Sequence, residues 1–82
     1  MSKMLLAKLS KGSEVVIDGI VALTDEDYYT SFDSEEITYK VIKRMCLNIK
    51  QKIMKRTGVK SCYITFEARL LHIERKQPNE SK

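Results

Sequence analysis

The sequence contains few of the residues that mark fibrous, disulfide-rich or membrane proteins. It has three glycines, one proline, two cysteines and no tryptophan among 82 residues, and hydrophobic residues make up 43% of the chain. So little glycine and proline, with this much apolar content, excludes a collagen-like or largely disordered chain. The longest apolar-leaning run, at residues 15–23, is interrupted by Asp18 and is far shorter than the roughly 20 residues of a membrane-spanning helix. The composition therefore predicts one ordinary globular domain without a membrane span.

The N-terminus and the cysteines both bear on the cellular compartment. The apolar stretch between Lys3 and Lys8 is only a few residues long, which is too short for the hydrophobic core of a signal peptide. We therefore expect a cytoplasmic protein, in which Cys46 and Cys62 are reduced thiols and not a disulfide.

Two segments near the N-terminus have the residue pattern of β-strands. Residues 3–10 show a weak strand pattern, and turn residues at 11–13 separate them from residues 14–23, which are rich in β-branched side chains. The second segment is apolar on both faces, and strands of that kind tend to be covered on both faces. We expect the two segments to pair as a hairpin, followed by a loop to Phe32 that begins with a short helical turn at Thr24.

The clearest pattern in the chain is that of one long amphipathic helix. Asp33 is suited to the N-cap, with Glu36 in the capping-box position, and Gly58 is suited to the C-cap, so the helix is predicted to span about 22 residues. At 100° per residue its apolar side chains fall within one arc of roughly 140°. The members of this arc are Val41, Ile42, Met45, Cys46, Ile49 and Ile53.

The C-terminal part alternates in polarity, which predicts one long strand or two successive strands over residues 59–76. Cys62, Ile64, Phe66, Ala68 and Leu70 share one face, and Tyr63, Leu71 and Ile73 are on the other, outward face. A bend near Ala68 would need a bulge. The polar residues 77–82 are predicted to be a disordered tail.

The predicted fold is α+β, a single domain over residues 1–76 with a small antiparallel sheet of about three strands packed against one helix, in the order β-β-α-β.

The side chains that catalyse reactions or bind metals are few and poorly spaced. Cys46, Cys62 and His72 are the soft ligands besides methionine, and none of them stands at the close pair spacing of zinc sites. Nucleophilic catalysis by a cysteine needs a base within hydrogen-bond reach, and the chain has one histidine. The glycines match no phosphate-binding loop. We therefore expect no enzymatic activity, no metal and no cofactor.

Charge is distributed unevenly along the chain. Residues 1–38 contain eight acidic residues and three lysines, whereas residues 39–82 contain twelve basic and three acidic residues. One side of the predicted helix is basic and is suited to follow a phosphate backbone, with Tyr39 and Tyr63 available to stack on bases. The predicted nucleic-acid contacts are Lys40, Lys43, Arg44, Lys50 and Lys55. The alternative is that the acidic half of the chain pairs with this helix, within the fold or across a dimer.

Protein recognition is the second hypothesis for the function. Leu47 and Met54 form a narrow apolar stripe among the basic residues, which is suited to a groove in a partner protein. The outward strand residues Tyr63, Leu71 and Ile73 are suited to a homodimer contact. We expect a small regulatory protein that contacts nucleic acid or nucleic-acid machinery. The alternative is a protein-binding inhibitor or adaptor of the phage or mobile-element type.

Overall fold

A computed structural model describes residues 4–65 and 71–76 of the chain. These residues form two antiparallel sheets and one helix. This architecture confirms the predicted α+β class. Strands β1, β4 and β6 form the first sheet in the order β4-β1-β6, and strands β2, β3 and β5 form the second in the order β3-β2-β5. The elements in chain order are β1 (Met4–Leu9), β2 (Glu14–Ile17), β3 (Ile20–Leu23), β4 (Tyr28–Asp33), α1 (Tyr39–Thr57), β5 (Cys62–Ile64) and β6 (Leu71–Lys76).

The first sheet is built around β1, whose alternate side chains face the core. Leu5, Ala7 and Leu9 are buried, while the residues between them are half-buried. On β4, Tyr28 lies opposite Leu9 and is buried with it. This period-2 alternation is typical of a sheet with one face against the core.

The predicted strand over residues 14–23 is a hairpin made of β2 and β3. Asp18 and Gly19 form its turn, with φ angles of 49° and 85°. Two positive φ angles define the turn type whose twist matches that of paired strands, and Asp-Gly is a preferred sequence for it. The expected hairpin between residues 3–10 and 14–23 is wrong, because β1 pairs with β4 and β6.

The segment predicted as a loop up to Phe32 contains β4, because its aromatic side chains alternate between the core and the surface. Asp33 ends this strand and is not the helix N-cap. That position is taken by Thr38, whose Oγ1 accepts a hydrogen bond of 3.3 Å from the amide of Val41. The helix is consequently 19 residues long and begins later than the capping pattern predicted.

The apolar arc of α1 is confirmed. Its buried residues are Val41, Met45, Cys46, Ile49 and Ile53, and Ile42 is half-buried against them. Gly58 ends the helix with a φ of 75°, and its amide donates to the carbonyl of Met54 at 2.8 Å, a left-handed cap that glycine adopts without strain. α1 packs against β4 and β5 and so covers the inner faces of both sheets. Within the described part of the chain, no helix has the length and apolar character needed to cross a membrane.

The C-terminal pattern resolves into two strands that belong to different sheets. β5 pairs with β2, and β6 pairs with β1. Ile73 lies opposite Ala7 and packs against the core, so the prediction that it faces outward with Tyr63 is wrong. The predictions for Phe66, Ala68 and Leu70, for the Leu71 side chain, and for the tail at residues 77–82 fall outside the described residues.

Candidate functional site

A groove of about 620 Å³ runs between the exposed side of α1 and strand β5. It exists because the helix packs its apolar arc on the core, which leaves the opposite, basic side facing outward beside β5. The side chains that line the groove are Tyr39, Lys40, Lys43, Arg44, Cys46, Leu47, Lys50, Tyr63 and Ile64. The groove thus combines apolar and aromatic side chains with basic ones.

Two exposed tyrosines form the aromatic part of the groove. Tyr39, at the first turn of α1, is 70% exposed, and Tyr63, on the outward face of β5, is 58% exposed. The ammonium of Lys43 lies 5.5 Å from the centre of the Tyr39 ring, and that of Lys50 lies 5.0 Å from the centre of the Tyr63 ring. The first pair follows from the helix, since residues four apart are neighbours on its surface. A cation therefore stands beside each aromatic ring.

The basic side chains of the groove have no acidic partner among the described residues. Lys40, Lys43, Arg44 and Lys50 line it, and no ion pair joins any of them to a carboxylate in that part of the chain. Like charges held close together repel one another, and an anion in the groove would relieve that repulsion. The groove is therefore an electrostatically favourable place for a polyanion.

At the other end of the helix, basic residues are paired within the fold. Arg56 contacts Asp25 at 2.8 Å and Glu26 at 3.0 Å, and the ammonium of Lys52 donates to the carbonyl of Tyr29. The hydrogen bond from Arg56 lowers the pKa of Asp25. Internal pairing of the acidic and basic halves of the chain is therefore correct for Arg56, and among the described residues it does not extend to the groove.

Neither cysteine is exposed at the surface of the protein. Cys46 and Cys62 are both buried, and burial raises the pKa of the Cys62 thiol, which disfavours the reactive thiolate. Among residues 4–65 and 71–76, no three histidine, cysteine or acidic side chains are grouped so that they could hold a metal ion.

The groove unites residues that the sequence assigned to two different functions. Lys40, Lys43, Arg44 and Lys50, predicted to contact nucleic acid, line the groove. Leu47, predicted to contact protein, lines it as well, and so does Tyr63, for which both roles were predicted. Lys55 is separate, because its position around the helix turns it toward β4. There it lines a smaller groove of about 310 Å³ with Thr30, Asn48, Gln51 and Lys52.

Two of the predicted protein-contact residues are only partly exposed. Met54 and Ile73 are half-buried and pack against the core cluster, which accounts for their apolar character. The sequence also missed two contributors to the groove, Cys46 and Ile64, because an apolar residue on a core-facing pattern gives no sign that it also reaches a surface depression.

Comparison with other proteins gives no further constraint on the site. No protein-family model matches the chain, and neither the curated proteins nor the solved structures include one with significant similarity to it.

Proposed function

We propose that the protein binds single-stranded nucleic acid in the groove between α1 and β5. The observation that carries this proposal is the grouping of two exposed tyrosines, Tyr39 and Tyr63, with four basic side chains that have no acidic partner in the described part of the chain. Proteins that bind single strands combine these two elements, a basic channel for the phosphates and aromatic rings on which bases stack.

The composition of the groove favours single strands over a duplex. A tyrosine can stack only on a base whose face is exposed, and in a duplex the base faces are covered by their neighbours. Lysine makes up three of the four basic residues, and it contacts phosphates as a point charge, whereas bidentate recognition of guanine is typical of arginine. We therefore expect weak sequence preference.

The proposed role is that of a non-enzymatic, regulatory binding protein of the cytoplasm. In this role the protein occupies a strand and does not alter it chemically. A single-stranded segment that is occupied by the protein is no longer accessible to other factors. This blocking is a sufficient basis for regulation.

The salt dependence of binding to a labelled oligonucleotide tests the electrostatic part of the proposal. Each phosphate contact contributes about −0.7 to the slope of log K against log salt for single strands, so four contacts predict a slope near −3. Lys43→Gln should lower the magnitude of that slope by about 0.7. Lys11→Gln is the matched control, because Lys11 is exposed on a turn outside the groove, and it should leave the slope unchanged.

The aromatic part has its own test. Tyr63→Ala should weaken oligonucleotide binding by about 1–3 kcal/mol, the range found for loss of a stacking ring, without altering the salt slope. Tyr29→Ala is the matched control, because Tyr29 is equally exposed, at 57% against 58%, but lies on the first sheet. Equal losses for the two variants would contradict stacking in the groove.

A protein partner is the competing function, favoured by Leu47 in the groove, where it is 39% exposed. If the occupant were an acidic protein segment, Leu47→Asp would abolish its binding, while Lys43→Gln would mainly slow association at low salt. Failure of the unaltered protein to bind any single-stranded DNA or RNA at low salt would overturn the nucleic-acid proposal and favour the inhibitor or adaptor role.

A further inference from the structure

The outer edge of the second sheet is an apolar strand that no described strand covers. β3 is hydrogen-bonded to β2 alone in that sheet, and its residues Ile20, Val21 and Leu23 are 70%, 62% and 64% exposed. The strand has no charged residue and no proline, and its register with β2 contains no bulge. Charges, prolines and bulges are among the features that keep open edges from pairing, and β3 has none of these three.

The open edge presents the backbone groups of two alternate residues, which have no strand partner among the described residues. The two-residue turn before β3 makes Ile20 a hydrogen-bonded partner of β2, and beyond the strand the amide of Thr24 donates to the carbonyl of Ser13 at 2.9 Å. Even-numbered residues therefore bond toward β2. The N–H and C=O groups of Val21 and Leu23 consequently point away from the sheet, toward the open edge.

We infer that β3 pairs antiparallel with β3 of a second copy of this chain. A twofold axis at Ala22 places Val21 opposite Leu23 of the second copy, and both pairs then exchange their outward backbone groups. Ala22 faces its own equivalent in the closely spaced, non-hydrogen-bonded position, where a methyl side chain fits. The strand is complementary to itself in this register, because apolar side chains meet apolar side chains and none of its four residues is charged.

The pairing joins the two sheets into one of six strands, in the order β5-β2-β3-β3-β2-β5. It brings the exposed side chains of Val21 and Leu23 into cross-strand contact. The α1–β5 grooves lie at the two far edges, so the inference does not depend on the function proposed for them. With only four residues per strand the interface is small, and small interfaces are typical of weak association.

Sedimentation velocity on the full chain tests the dimer. The mass should rise from 9.5 kDa toward twice that value as the concentration is raised from about ten to several hundred micromolar, a range suited to a small interface. Val21→Lys should hold the protein at the monomer mass, because it puts two charges into the paired edge. Ser31→Lys adds the same charge to an exposed strand position of the first sheet and should leave association unchanged. A dimer that persists in Val21→Lys would overturn the inference.

Disulfide cross-linking tests the register independently. Cα atoms in a non-hydrogen-bonded antiparallel pair are about 4.5 Å apart, within the range that a disulfide can join. Ala22→Cys should therefore form a covalent dimer under mild oxidation. Leu23→Cys should cross-link several-fold less, because that residue faces Val21 of the second copy and not its own equivalent. Equal cross-linking at the two positions, or none at Ala22→Cys, would contradict the proposed pairing.

Discussion

The ammonium of Lys50 lies 5.0 Å from the centre of the Tyr63 ring, and this contact joins the basic side of α1 to β5 across the groove. The sequence predicted a phosphate contact for Lys50, and for Tyr63 it predicted either base stacking or a protein contact. Their proximity makes the groove one continuous site. A cation over an exposed ring is worth only about 0.5–1 kcal/mol, so the pair orients the site more than it stabilises the fold.

Lys50→Met should therefore have a small effect on stability. Methionine keeps an unbranched apolar side chain beside the ring and removes the charge, so we expect the free energy of unfolding to fall by no more than about 1 kcal/mol. Urea denaturation measures this change. A loss of several kcal/mol would show that the contact holds β5 to the helix instead of orienting the groove.

Ile49→Ala should be strongly destabilising. Ile49 is fully buried at the centre of the apolar arc, and removal of such a side chain leaves a cavity that costs about 2–5 kcal/mol. Leu47→Ala is the control in the same helix, because Leu47 is 39% exposed, and it should cost less than about 1 kcal/mol. Denaturant unfolding of both variants checks the orientation of the helix, and similar losses for the two would contradict it.

Asp18→Ala should weaken the connection between the β2–β3 hairpin and the segment before β5. The Asp18 carboxylate accepts hydrogen bonds from the amides of Ser61 at 2.8 Å and Lys60 at 3.1 Å, and its φ of 49° suits aspartate or asparagine better than alanine. We expect a loss of about 1–3 kcal/mol in thermal or urea unfolding. Asp18→Asn keeps both the acceptor and the backbone preference and should lose less than half as much.

The ion pair between Arg56 and Asp25 should make the stability of the protein depend on pH in the acidic range. The hydrogen bond from Arg56 lowers the pKa of Asp25 below its ordinary value of 3.8, so the folded protein binds this proton less readily than the unfolded chain does. The resulting stabilisation is complete well above pH 3.8 and is lost as the pH falls through the lower folded pKa.

The stability difference between the unaltered protein and Arg56→Gln should therefore be present at neutral pH and shrink below pH 3.8, as measured by urea unfolding across that range. Lys52→Gln is the matched control, because Lys52 donates to the backbone carbonyl of Tyr29 and no carboxylate needs to be ionised for that bond. Its effect should stay nearly constant, and a parallel pH dependence in both variants would contradict the assignment to Asp25.

Features that depend on neighbours in the chain could be predicted from the sequence. The arc containing Met45 and Ile49 is a consequence of the 3.6-residue helical period, and Gly58 ends the helix through its own backbone freedom. The alternation around Tyr63 was also correct, with Cys62 and Ile64 facing inward. The start of the helix was not, because both Asp33 and Thr38 are suitable caps and only the extent of β4 decides between them.

Strand partners were decided by the tertiary structure alone. Pairing of β1 with β4 and β6, and of β2 with β5, joins residues far apart in the chain, and no local pattern specifies which strands meet. The alternation of side chains along a strand also does not determine which of the two faces is buried. Ile73 is directed inward by its register against Ala7, whereas its position along the strand alone had suggested the surface.

The groove also depends partly on features visible in the sequence and partly on the tertiary structure. The sequence by itself determined that one side of a helix would be basic and that Tyr39 and Tyr63 would stand outside the apolar patterns. Only the tertiary structure placed β5 beside that side of the helix and paired Arg56 with Asp25 while leaving Lys43 and Lys50 without an acidic partner in the described residues. The physical reason is that composition and period act within one element, whereas a binding site arises where two elements meet.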